Sequence, residues 1–214
     1  MRKLVLISLL SFCMSAVHAI DVRDMFVAMP DSVLPLLSGI NRLDMLDFRD
    51  SGMKSVVRNR LEGYSELIDI DSNSMRIRYT GNSEVTIRLY YYKDAVPVVC
   101  LLHTVTSGGL SDSRISFYDS KWKKLDDQRL LRIPTIDDFI RDGLCKDSVG
   151  YVKRMCPVNN IKAYLPDSRD RIEFEYTGLS FTGEDSLRCA SCIKPDPLVY
   201  EWNGKRFTPL KDRK

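Results

Sequence analysis

The sequence predicts an α+β fold, with N-terminal helices packed on a largely antiparallel sheet. Three observations carry that expectation: a helical spacing of apolar residues before residue 64, a period of two from there to residue 132, and a second strand set from residue 158 onward. Residues 133–157 supply a helix and loop connection. Residues 20–214 read as one compact domain, since 44% hydrophobic residues and only 11 Gly and 9 Pro are enough to bury a core.

The helical segment, residues 20–63, divides at its own punctuation. Ser32 is an N-cap candidate with Pro35 in the first turn, where no intrahelical N–H is needed, and Leu36, Leu37 and Ile40 then share a face. Asn41 caps a second helix carrying Leu43, Leu46 and Phe48. Met53, Val56, Val57 and Leu61 recur at spacings of three and four before Gly63, which predicts a third amphipathic helix with a glycine stop.

Beyond Glu66 the pattern is a meander. Leu67 to Ile70, Met75 to Tyr79, Glu84 to Tyr92, Pro97 to Thr106 and Arg114 to Tyr118 are separated by turns rich in Gly, Asn, Asp and Ser. In the third run Val85, Ile87, Leu89 and Tyr91 alternate with Thr86, Arg88, Tyr90 and Tyr92, so the sheet is expected to keep one face wet. Thr135 to Ile140 predicts a short helix. Ile161 to Leu165, Ile172 to Tyr176 and a hairpin over Leu198 to Leu210, turning at Asn203-Gly204, form the second strand set. The stretches Ile115 to Leu125 and Val199 to Leu210 both run strand, turn, aromatic, leucine. Either the two sets are related halves or both hairpins obey the same rules, and alternation plus a turn supplies most of the similarity.

Residues 1–19 place the protein outside the cytoplasm. Arg2 and Lys3 precede the apolar run Leu4 to Val17, and Val17-His18-Ala19 is a small-residue cleavage site, which together form a Sec-type signal peptide cut after Ala19. The polar run from Asp21 comes too soon for a membrane anchor. Cys13 is the one position for lipid attachment, and Phe12 before it is too large, so a soluble periplasmic or secreted protein is expected. Without the leader, 195 residues remain with formal charge +1 instead of +3. No long basic block survives, which argues against nucleic acid as a partner. The longest remaining apolar run, Val96 to Leu102, suits a buried strand and is too short for a transmembrane segment.

Histidine restricts the chemistry. Only His103 remains after processing, which excludes any site needing two histidines from one chain. His103 lies three residues from Cys100 on one expected strand, so their side chains point to opposite faces and do not form a dyad. Asp69-Ile-Asp-Ser-Asn73 opens like a calcium loop but has Ser74 and Thr80 where glycine and glutamate are required, and reads as a polar turn. Asp44, Asp47 and Asp50 read as a solvated helix face. No metal site and no cofactor are expected.

Five cysteines outlast the leader: Cys100, Cys145, Cys156, Cys189 and Cys192. Cys100 sits in the apolar run and reads as a buried small hydrophobe. In an oxidising compartment, Cys145, Cys156, Cys189 and Cys192 are candidate disulfide partners, with connectivity left open by their spacing. Cys189-Ala-Ser-Cys192 also has the Cys-x-x-Cys spacing of thiol oxidoreductases, which requires a following helix. Ile193-Lys-Pro-Asp-Pro197 prevents one there. Tyr90 and Tyr92 on one strand face, with Trp122 and Trp202 near later turns, are the candidate binding surface, because such rings stack on sugars or anchor a protein.

The segments Met29 to Leu37, Asn41 to Lys54, Asp112 to Asp119 with Trp122, and Val199 to Trp202 resemble an uncharacterised family of exported Bacteroidales proteins, a domain of unknown function. The resemblance covers nearly the whole mature length. It implies an envelope location and no assigned activity. The reading is therefore an exported cell-envelope module, non-catalytic, that binds an envelope protein or glycan. The alternatives are a periplasmic thiol oxidoreductase using Cys189 and Cys192, and a carrier whose curved sheet encloses an apolar ligand.

Overall fold

The computed structural model describes residues 20–179 and 183–210 of the chain. The expected signal peptide, residues 1–19 with Cys13, lies outside the described residues. Among those described, no helix is long and apolar enough to cross a membrane.

Helix α1 (Val22–Ala28) starts where the Asp21 carboxylate accepts from the Arg23 N–H, and it buries Val22, Met25 and Phe26. Turns follow, then α2 (Gly39–Asp50), capped by a reciprocal Ser38–Asn41 box that satisfies two orphan donors. The helical reading of residues 20–63 needs correction: no helix starts at Ser32, since residues 31–37 form turns, and Asn41 stands at the third position of α2, whose N-cap is Ser38. Ile40 is 72% exposed and does not serve the core, which α2 reaches through Met45 and Leu46. The expected third helix is absent: Val56–Arg58 is strand β1, paired with β2 (Tyr64–Ile70), and Met53 and Leu61 are both exposed. Two adjacent β-branched residues lose rotamer freedom in a helix and fit a pleated edge, so tertiary pairing overrode a helical spacing.

The meander continues as β3 (Ser74–Thr80), β4 (Ser83–Tyr91), β5 (Pro97–Ser107) and β6 (Leu110–Tyr118), giving a six-stranded antiparallel sheet in chain order. Short helices α3 (Asp127–Leu130) and α4 (Ile136–Phe139) and the longer α5 (Lys146–Met155) lead to a second sheet. It contains β7 (Ile161–Tyr164), β8 (Arg171–Tyr176), β9 (Leu198–Trp202) and β10 (Phe207–Pro209), in the order β10-β9-β8-β7. Helix α6 (Glu184–Cys192) lies between β8 and β9 in sequence. The expected C-terminal hairpin is present, with Phe207 opposite Trp202. The two stretches compared as halves lie in different sheets, and the earlier forms only a single bridge, Tyr118 to Lys124.

These elements stack in layers around two apolar cores. One core, between α1, α2 and one face of the first sheet, takes Val85, Ile87 and Leu89 from β4 and Val99 and Leu101 from β5. The other takes Tyr90, Val98, Cys100 and Leu102 from the opposite face and packs them on Ile172, Phe174, Tyr200 and Phe207 of the second sheet. The wet-face expectation is thus corrected for β4 to β6, because the second strand set folds back over that face.

Two polar contacts fix the helical layer. Trp122, at a left-handed φ of 59°, donates its indole N–H to the Met25 carbonyl at 2.9 Å, joining the turn after β6 to α1. The buried Arg42 guanidinium donates to the carbonyls of Leu37 (2.8 Å) and Met29 and to the Asp31 carboxylate (3.1 Å), tying down the turns between the helices. Partial loss of water works to raise the Asp31 pKa, but hydrogen bonds from Arg42 and Arg60 outweigh it and hold it below the usual 3.8.

Two outcomes are expected. Trp122→Phe leaves the Met25 carbonyl without its donor inside the core and costs about 1–3 kcal/mol in urea unfolding. Because the folded-state pKa of Asp31 is depressed, its contribution is complete above the unfolded value and vanishes as pH falls through the folded one. Unfolding midpoints measured from pH 6 down to pH 2 should therefore fall less steeply for Asp31→Asn than for the wild type.

Candidate binding cleft

Alternation along β3 puts Met75, Ile77 and Tyr79 into the helical core and leaves Arg76, Arg78 and Thr80 on the other face. Glu84 and Thr86 of β4 and Thr104 and Thr106 of β5 continue that polar face. The second sheet does not reach this far. Its edge strand β7 stands beside the uncovered area, so Lys162 and Tyr164, with Glu175 of the neighbouring β8, form an opposing wall. The result is a cleft of about 700 Å³ with hydroxyl, guanidinium, ammonium and carboxylate groups around Leu102 and Leu165.

The two walls are pinned by specific bonds. The N–H groups of Ile161 and Ala163 donate to Asp112 Oδ1 (3.3 Å) and Ser113 Oγ (2.9 Å) of β6, and the Thr177 hydroxyl donates to the Ser111 carbonyl at 2.5 Å. Across the layers, buried Arg88 of β4 donates to the Pro166 carbonyl at 2.7 Å and the Leu165 carbonyl at 3.3 Å. A buried guanidinium serving irregular backbone is costly to displace, so the loop after β7 is held in place.

Charge in the cleft is partly uncommitted. Arg78 is paired with Glu66, whereas Arg76, Lys162, Glu84 and Glu175 have no ion-pair partner within 4.0 Å among the described residues. Burial, reinforced by a hydrogen bond to Glu173, pushes the Tyr164 phenol up to about 12, so it keeps its proton at neutral pH.

The aromatic surface expected from sequence is corrected. Tyr90 is only 3% exposed and Trp122 only 6%, and they serve opposite cores. Tyr90, Tyr92 and Trp202 do converge: the Trp202 ring lies 5.7 Å from each tyrosine, and Tyr90 is 4.8 Å from Phe207, edge to face. Trp202 Nε1 donates to the Tyr91 carbonyl at 2.7 Å and Tyr90 donates to the Arg171 carbonyl at 3.2 Å. These rings bind the two sheets to each other. The cleft residues were missed because Arg76, Arg78, Lys162 and Glu175 look like any solvent-facing positions until a second sheet stands over them.

A family model described as a protein of unknown function, DUF3256, matches residues 14–207. The chain belongs to this family. Among solved structures, it is similar to a domain of an uncharacterized protein from Porphyromonas gingivalis W83, at 25% identity and a TM-score of 0.78, over 90% of this chain and 99% of that one. No curated protein matches significantly. The resemblance to uncharacterised Bacteroidales proteins is therefore shown.

DUF3256 membership brings no chemistry, so the remaining polar groups are judged by their surroundings. Asp71 of the calcium-like stretch accepts from the N–H groups of Asn73 and Ser74, the bonds of a polar turn. His103 faces the helical side of β5 and meets Tyr79 edge-on at 5.5 Å, while Cys100 faces the second sheet, as strand alternation requires. All five cysteines are free thiols in the structure, so the expected disulfides are not formed in it. Cys189 and Cys192 occupy the last two turns of α6, the reverse of the helix N-terminal position that activates a Cys-x-x-Cys thiol. Burial, with Cys156 close by, pushes Cys189 up to about 11. Exposed Cys145 differs: hydrogen bonds from Ser148 hold its pKa below 9.0.

In fully reduced, folded protein at pH 8, Cys145 should therefore be alkylated first by iodoacetamide. Cys189, with a thiolate fraction on the order of one in a thousand, should be among the slowest, as read by timed mass spectrometry.

Proposed function

We propose that this protein is an exported, non-catalytic module of the cell envelope that holds an acidic glycan in the cleft between its two sheets. The cleft itself carries the reading. Its concave shape and its ring of hydroxyls match a saccharide's many donors and acceptors, and Arg76 and Lys162 are free to meet a carboxylate or sulfate. Tyr164, whose proton is held by Glu173, offers a phenolic oxygen as acceptor on the opposing wall. Export rests on the leader, Arg2 to Ala19.

The other readings fit less well. A thiol oxidoreductase needs an activated cysteine, and Cys189 is buried with a raised pKa. An apolar-ligand carrier needs an apolar hollow, whereas the space between the sheets is occupied by Phe117, Phe174, Phe207 and Trp202, and the open cleft is lined by charged and hydroxylated side chains.

Titration calorimetry against acidic oligosaccharides chosen from a glycan array tests the proposal. Arg76→Ala and Lys162→Ala should each weaken binding about tenfold or more, with affinity falling as salt is raised. Tyr92→Ala, which lies in the inter-sheet cluster, should leave affinity unchanged in protein that remains folded. Silence across the array, or undiminished affinity in the Arg76→Ala/Lys162→Ala double variant, would sink the reading.

A further inference from the structure

Beneath the turns that join α1 to α2, the first sheet carries a second cavity, on the face opposite the cleft. Antiparallel register pairs Val99 with Tyr118, Leu101 with Ser116 and His103 with Arg114 across β5 and β6. Alternation turns all three pairs toward the helical layer, so the surface grades from apolar to charged along one line. Pro30, Ser32, Val33, Leu34 and Trp122 complete an enclosure of about 370 Å³, within the size range of small-molecule sites.

The polar groups of this cavity are uncommitted. Among the described residues, Ser32, His103, Arg114, Ser116 and Tyr118 make no side-chain hydrogen bond and no ion pair. On the other face of the same two strands, Thr104 bonds Ser113 and Thr106 bonds Ser111. Ser116 is only 5% exposed, and His103 Nε2 is shut off from solvent without a partner. Polar atoms so enclosed are ordinarily satisfied, so those beside a cavity mark a place where a ligand would find bonds to make. No acidic side chain among the described residues lines the cavity, and the carboxylate of the roof segment, Asp31, is held by Arg42 and Arg60.

We propose that this cavity binds a small monocarboxylate with an apolar body, the carboxylate on Arg114 and Ser116 and the body against Leu101, Val33 and Trp122. One guanidinium fork matches one carboxylate in shape and charge, whereas a phosphate dianion would stay half neutralised beside an uncharged histidine. Burial, and after it the charge of Arg114, hold the His103 pKa below the usual 6.5, so the ring is largely neutral at pH 7. The other titratable and charged groups on the surrounding elements are Tyr118 of β6, Tyr79 of β3 and, in the helical layer, Asp31 with Arg42 and Arg60. A carboxylate beside Arg114 cancels its repulsion of His103 and favours the protonated ring. By linkage, the carboxylate binds more tightly as pH falls through the range in which the imidazole titrates.

NMR of residues 20–214, freed of any purification tag, reads the site directly, because His103 is then the only histidine. Acetate, butyrate, benzoate and naphthoate are titrated in turn, with benzamide as the uncharged match to benzoate and inorganic phosphate as a second anion. The larger carboxylates should bind most tightly, shift the imidazole and the Trp122 indole signals, and raise the pH at which the imidazole titrates. Benzamide and phosphate should bind about tenfold more weakly or worse, and Arg114→Gln should weaken benzoate by a similar factor. His103→Asn should retain binding but lose its pH dependence. Arg114 is exposed, so its variant keeps the fold and decides alone should the histidine variant fail to fold. Arg76→Ala/Lys162→Ala should bind benzoate as the wild type does, which separates this cavity from the glycan cleft on the opposite face. Loss of benzoate in that double variant places the carboxylate in the cleft and overturns the proposal. So does equal affinity for benzamide or phosphate, undiminished affinity in Arg114→Gln, or no shift with any carboxylate.

Discussion

Burial of β4 and β5 on both faces is the constraint from which the rest of the architecture follows. From Pro97 to Leu102 every residue of β5 is buried, and the side chains alternate between the two cores. A strand that is apolar on both sides requires a covering layer on each. The helices supply one layer and the second sheet the other. Removing either would expose half of the central strand pair, so the N-terminal and C-terminal portions of the chain are mutually dependent through residues that touch neither terminus.

The candidate site arises from an inequality of size. Six strands form the inner sheet and four the outer, so part of the inner sheet is left without a cover. That part is polar where the covered part is apolar, and the changeover occurs within single strands: β4 passes from Glu84 and Thr86 to Arg88 and Tyr90 on one face, and β5 from Leu102 to Thr104 and Thr106. Side-chain chemistry along each strand thus matches the position of the overlying edge. Hydrogen bonds from β7 to Asp112 and Ser113 then hold that edge at a set distance from the floor.

Buried arginines perform the same task in both layers. Arg42 donates to the carbonyls of Met29 and Leu37, and Arg88 to those of Leu165 and Pro166. In each case the acceptors belong to irregular backbone that has no ladder partner, and a fork of guanidinium donors satisfies several at once. The loops that complete each layer are thereby as firmly placed as the strands they join.

Much of this was legible in the residues. The five meander strands, the β7 and β8 runs and the hairpin at Asn203-Gly204 follow from period-two alternation between turn residues, a local signal. The family was legible in the N-terminal segments. Two kinds of feature were not. Val56 and Val57 have helical spacing but take up strand pairing, since the partner that pays for it, β2, lies outside the local window. Tyr90, Tyr92 and Trp202 read as a surface, although Trp202 belongs to the second sheet that closes over the tyrosines, with Tyr90 bonded to Arg171, 81 residues downstream. The sequence by itself determined the antiparallel meander and the two-sided apolar strand, because alternation acts over neighbouring residues. Which polar face became a cleft and which rings were buried were decided only by how the layers docked, because each depends on contacts between residues far apart in the chain.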